Sequence, residues 1–143
     1  MRSFVIDSNA LVYWLHEGSR YHDEVNRFLM LELETADDLY VLSSSLNEVY
    51  YALHAHYMDE AAARASILDA ASLLDVMDLT GFYVHDALAS DEPDYEDGLI
   101  RAFAESLEVD AIISYDKRAF KRSRIPKLTA AEALQRYRDD YEK

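Results

Sequence analysis

The stretch DYEDGLIRAFAESLEVDAIISYD, residues 94–116, decides the fold. Its first half places Leu99, Ile100, Phe103, Ala104 and Leu107 at helical spacing, which predicts a helix over 95–107 with one buried face. Its second half contains DAIIS, residues 110–114, a short unbroken apolar run. A run of that kind fits a strand buried on both faces of a parallel sheet. Asp97 falls in the first turn of the helix, where the partial positive charge of the helix end tolerates a carboxylate. Asp116 falls just past the strand.

The same alternation extends in both directions. SFVID, residues 3–7, reads as a central strand ending in Asp7, with Ser8-Asn9 opening a short helix that closes at Gly18. A helix is expected over 20–34, then a strand LYVLS at 39–43. Ser43, Ser44 or Ser45 caps the following helix, which carries Glu48 early and Leu46, Val49, Tyr50 and Leu53 on one face. Asp59 is placed to cap a helix over 60–74, followed by a strand VMDLT at 76–80 and a helix over 81–90. SDEPD, residues 90–94, is the clearest turn, and Asp94 is most simply the cap of the helix after it. Beyond 116 come a basic stretch read as a short helix, an edge strand KLT and a last helix over 130–137. Thr129 and Glu132 fit a capping box there. The predicted order is β-α-α-β-α-α-β-α-α-β-α-β-α. It implies an α/β fold of three layers, with a mainly parallel central sheet of four to five strands, on a single domain spanning 1–143.

The chain has 143 residues and no cysteine, which excludes disulfides and thiolate metal sites. No apolar run reaches the length of a membrane span, and no signal peptide is visible, so the expectation is a cytoplasmic protein without membrane attachment. The net charge of −14 is uneven. Residues 1–116 hold 5 basic and 24 acidic side chains, whereas 117–143 hold 9 and 4. An acidic body argues against non-specific coating of nucleic acid. Lys117, Arg118, Lys121, Arg122 and Arg124, following Asp116 directly, are candidates to hold a phosphate backbone, against the simpler reading of a solvated face.

Four acids in four separate segments form the candidate site: Asp7, Glu48, Asp97 and Asp116. In an open α/β sheet the carboxyl ends of strands and the adjacent helix starts share one crevice. Carboxylates gathered there repel one another unless cations lie between them. Mg²⁺ or Mn²⁺ suits an all-oxygen site of few carboxylates and waters. Asp7, Asp97 and Asp116 are the expected ligands, with Glu48 completing the cluster or positioning a water. Ser8, Asn9 and Ser114 are expected to orient the carboxylates through hydrogen bonds, and Asp94 and Glu96 to stand just behind them. The chain has no P-loop, dinucleotide fingerprint or nucleophile elbow. A phosphatase with an aspartyl nucleophile wants a second acid two residues after Asp7, where Asn9 stands. A non-catalytic interaction module is the other alternative, and retention of all four acids speaks against it.

These segments, in this order, resemble the PIN-domain family, the metal-dependent ribonuclease fold of VapC-type toxins and PilT N-terminus-like proteins. FVIDSNALV (4–12), NEVYYAL (47–53), DYEDGLIRAFAESLEVDAIISYDKRAF (94–120) and SRIPKLTAAEAL (123–134) carry the likeness. Gly98 stands where many members have Ala, and Ser114-Tyr115-Asp116 replaces the commoner Thr-Arg-Asp or Thr-Arg-Asn. The resemblance implies a divalent-metal endoribonuclease acting on RNA, a small antitoxin protein as partner, and a homodimer.

Overall fold

The computed structural model describes residues 1–142. Five strands, all parallel, form one sheet: β1 (Ser3–Ile6), β2 (Asp38–Leu42), β3 (Asp75–Met77), β4 (Ala111–Ile113) and β5 (Lys127–Leu128), in the order β3-β2-β1-β4-β5. The helices are α1 (Ser8–Leu15), α2 (His22–Glu34), α3 (Ser43–His56), α4 (Glu60–Leu73), α5 (Gly81–Ala89), α6 (Tyr95–Leu107), α7 (Ala130–Arg136) and α8 (Arg138–Tyr141).

Alternation along β1 explains the layers. Phe4 and Ile6 point into a core shared with α1, α2, α3, α4 and α7, whereas Val5 points into a second core with α5 and α6. Full burial of such side chains contributes about 1.5–3 kcal/mol each. The chain builds outward from β1 through β2 to β3, then crosses to β4 and β5 on the other side. The order therefore reverses between β1 and β4, and a crevice opens at their carboxyl ends.

Several boundaries differ from the sequence reading. β1 stops at Ile6, because Asp7 has turned to cap α1. That helix ends at Leu15 instead of running to Gly18. No serine caps α3: Leu42 is the capping position, and Ser43 Oγ accepts a hydrogen bond from the Leu79 amide instead. β3 lies earlier than 76–80 and is wholly exposed at the sheet edge. The basic stretch after Asp116 is not a helix but a run of turns, with Phe120 in the left-handed region at φ 67°. A short α8 follows the last expected helix. The caps read at Asp59, Asp94 and Thr129 with Glu132 are all present. Gly98 has a packing reason: a Cβ there would lie 3.0 Å from Ala87 Cβ and 3.2 Å from its carbonyl oxygen. An Ala at this position would require Ala87 to give way by a few tenths of an ångström at the close crossing of α5 over α6.

Candidate active site

Asp7 stands at the switch point between β1 and β4 and is only 3% exposed. Its Oδ1 accepts the Ser8 amide at 2.8 Å, and its Oδ2 accepts the Ser114 hydroxyl at 2.8 Å and the Asn9 side-chain amide at 3.4 Å. Asn9 Nδ2 also reaches Ser114 Oγ at 3.2 Å, while its Oδ1 accepts the Tyr115 amide at 3.0 Å. Ser114 Oγ in turn accepts the Asp116 amide at 3.1 Å. Asn9 is thus a strut joining the ends of β1 and β4. The position that a phosphatase would fill with an acid holds a hydrogen-bond donor to Asp7.

Asp116 closes its own turn. Its Oδ1 accepts the amides of Arg118 at 2.8 Å and Ala119 at 3.1 Å, and its carbonyl oxygen accepts the Lys127 ammonium. Asp97 approaches from the first turn of α6, its amide bonded to the capping Asp94 carboxylate at 3.3 Å. Glu48 approaches from α3, on the β2 side of the sheet. Asp7, Glu48, Asp97 and Asp116 all line one cavity of about 420 Å³, with Ser8, Asn9, Asp94 and Glu96 also on its wall. Ser114 lies buried behind it. Ser44, Ser45, Leu79, Tyr95, Leu99 and Ile100 complete the lining; the sequence marks the serines only as caps and Leu99 and Ile100 only as the apolar stripe of α6.

Charge in this cavity is unresolved by the protein itself. Burial pushes the Asp7 carboxyl above its ordinary value, against the hydrogen bonds from Ser114 and Ser8, and the charges of Asp116 and Glu96 push the same way. Asp97 is pushed up to about 7, first by burial and then by the charges of Asp7, Asp116, Asp94 and Glu92. Among the described residues no Lys, Arg or His forms an ion pair with any of the four acids. Nor do three His, Asp or Glu side chains close on one point as a ready-made cation site. The donor set nevertheless fits a hard cation: carboxylate oxygens only, in a cavity roomy enough for the several waters that Mg²⁺ retains.

The basic stretch divides in two. Arg122 pairs with Asp91 at 3.1 Å, and Arg124 Nη2 donates to the Glu105 carbonyl at 2.8 Å. Lys117, Arg118 and Lys121 are exposed and make no ion pair among the described residues. None of the five lines the acidic cavity. Lys127, the last basic residue of the 117–127 stretch, lies in β5 and reaches the Asp116 main chain. It supplies a cation near the place where the family more often has Arg.

The PIN domain family model matches residues 3–118. No curated protein matches the sequence. Among solved structures, VapC20 of Mycobacterium tuberculosis, a toxin that cleaves the sarcin-ricin loop, is similar at 16% identity and a TM-score of 0.64, over 80% of this chain and 90% of that one. VapBC2 of Rickettsia felis, bound to a DNA fragment from its promoter, is similar at 17% identity and a TM-score of 0.71, over 89% and 98%. PAE2754 of Pyrobaculum aerophilum is similar at 16% identity and a TM-score of 0.68, over 96% and 90%. At these identities the structural likeness shows the fold alone. The five-stranded parallel sheet between two helical layers is the PIN-like architecture.

Proposed function

The chain belongs to the PIN-domain family, and on that premise we propose that it is a divalent-metal-dependent endoribonuclease. One observation carries the reading: four carboxylates from four segments share a cavity at the sheet's switch point and have no cationic partner among the described residues. Asp7, Asp97 and Asp116 are assigned as the residues that hold Mg²⁺ or Mn²⁺. The chemistry supplied by the bound cation is acidification of a water and neutralisation of charge on the attacked phosphate.

The chain's own groups do the rest. Ser114 and Asn9 fix the face that Asp7 presents, since both donate to its Oδ2. The Asp116 turn fixes the second carboxylate by its own backbone amides. Glu48, brought to the same cavity by α3, positions the attacking water and accepts its proton as the new P–O bond forms and the bond to the leaving ribose oxygen breaks. Lys117, Arg118 and Lys121 hold the flanking phosphates. Arg122 and Arg124 contribute less, because their guanidinium groups are already engaged within the protein.

The two VapC-type neighbours extend the proposal to the toxin of a toxin–antitoxin pair in the cytoplasm. A basic antitoxin segment suits the acidic cleft. No helix among the described residues is long and apolar enough to cross a membrane. A homodimer is included in the proposal, with exposed Val76 and Met77 of β3 and exposed Phe82 and Leu88 of α5 as candidate contacts.

The test is cleavage of total RNA by the wild type and by Asp97→Asn, each with Mg²⁺, Mn²⁺ or EDTA. Cleavage only by the wild type with metal is expected. Cleavage that survives both EDTA and the substitution contradicts the mechanism. Intact RNA from antitoxin-free protein under every condition favours the interaction module instead.

A further inference from the structure

We propose that Arg101 and Glu92 are positioning residues for the acid cluster: together they fasten the turn that carries Asp116 to the start of the helix that carries Asp97. The inference rests on the cation-binding reading of that cluster and adds residues that do not line its cavity.

Arg101 lies one helical turn beyond Asp97 on α6, its side chain 18% exposed. Its guanidinium reaches four partners. Nη1 donates to Asp91 Oδ1 at 2.6 Å and to Glu92 Oε2 at 3.0 Å, Nε donates to Glu105 Oε2 at 3.4 Å, and Nη2 donates to the Arg122 carbonyl at 3.1 Å. Two of these partners precede α6, one lies within it, and the fourth belongs to the segment between β4 and β5. The rigid fork of Arg suits such a junction, and the point charge of Lys does not reproduce it.

Glu92 carries the connection onward. Its side chain is 3% exposed, and while Oε2 meets Arg101, Oε1 accepts the Phe120 amide at 2.8 Å. Phe120 has φ 67°, a backbone conformation that non-glycine residues seldom adopt. Its buried side chain and the bond to Glu92 hold it there. The turn so fixed runs back through Ala119 and Arg118, whose amides bind Asp116 Oδ1. The path Arg101–Glu92–Phe120–Asp116 therefore joins two of the acids without passing through the strands. Neither residue would touch the cation. The bland alternative is that this ion cluster only fastens the fold.

Calorimetric Mn²⁺ titration of the full chain separates the two, with melting temperature recorded alongside. Removing a partner behind a metal ligand typically weakens affinity about 10- to 100-fold. Arg101→Ala should weaken Mn²⁺ binding by that order, with secondary structure retained, and Arg101→Lys should recover only part. Glu92→Gln, which is isosteric and keeps an acceptor for Phe120, should weaken binding by a smaller factor, and it decides the matter if Arg101→Ala fails to fold. Arg2→Ala is the control, because it breaks a half-buried ion network at the opposite end of β1. It should lower the melting temperature and leave Mn²⁺ affinity unchanged. Folded Arg101→Ala and Glu92→Gln proteins with wild-type affinity overturn the proposal, as does an equal loss of affinity in Arg2→Ala. A wild type that binds no Mn²⁺ defeats the cation reading itself and the positioning role with it.

Discussion

The two ends of β1 solve the same electrostatic problem in opposite ways. At its amino end Glu32 is fully buried, and the protein supplies the compensation itself. Arg2 reaches Glu32 at 3.3 Å and Asp37 at 2.8 Å, the Tyr141 hydroxyl donates to Glu32, and the rings of Tyr137 and Tyr141 lie against the Arg2 guanidinium. At its carboxyl end Asp7 is almost as buried, with Asp97 and Asp116 beside it, and the protein supplies hydrogen bonds but, among the described residues, no ion pair to these carboxylates. A buried charge set that a fold neutralises for itself is structural. One that it leaves open invites a cation from outside.

Substitutions at the two ends should therefore separate activity from stability. The largest effect expected is on cleavage. Asp97→Asn should reduce RNA hydrolysis on the order of 10³-fold, the several kcal/mol that a held cation contributes to the transition state. A variant within tenfold of wild type would break the comparison. The next effect is on stability. Glu32→Ala removes the most deeply buried of Arg2's carboxylate partners, leaves Asp37 in place, and should destabilise the fold by about 2 kcal/mol in chemical denaturation. Asp97→Asn in EDTA should show no such loss, and its melting temperature should equal or exceed that of the wild type, because a repulsion has been relieved.

A smaller effect is expected with pH. Glu32 is raised from 4.5 to about 7 by burial above all, and Asp97 from 3.8 to about 7. The folded state holds both protons more tightly than the unfolded state does. Their contribution is thus complete below the unfolded values and is lost as pH rises through about 7. In EDTA, stability should fall across that window, and Glu32→Gln should flatten part of the slope. Added Mn²⁺ should cancel the Asp97 share and leave the Glu32 share intact. A Mn²⁺-insensitive slope would place the two ends in one class.

The legible parts of this chain are those with local causes. SFVI and AII read as buried strands because every residue in them is apolar or small, and the caps at Asp59, Asp94 and Thr129 are readable because a cap bonds within a few residues. The convergence of Asp7, Glu48, Asp97 and Asp116 is legible through strand ends and helix starts, which a parallel sheet gathers on one side. What stays hidden depends on partners distant in sequence. Glu32 reads as one acid on an amphipathic helix until Arg2 is placed beside it. Glu92 reads as part of a turn until Phe120, 28 residues on, donates to it. The charges of the stretch after Asp116 suit a solvated helix or a loop alike, and a buried Phe120 in the left-handed region decides for turns.

The smallest effect concerns the basic residues. Neutralising Lys117 and Lys121 should weaken RNA binding and flatten its salt dependence, by about 0.7 in the log–log slope for each phosphate that a lysine no longer neutralises. Arg122→Ala should change the slope less, since its charge already faces Asp91. Equal slopes for all three would return the lysines to a solvated face.

The most direct measurement is an anomalous difference map from crystals of the wild-type chain soaked in MnCl₂. A peak is expected in the cavity walled by Asp7, Asp97 and Asp116, absent from Asp97→Asn crystals treated alike. A map without that peak, at Mn²⁺ concentrations that support RNA cleavage, would contradict the assignment of these carboxylates as the cation's ligands.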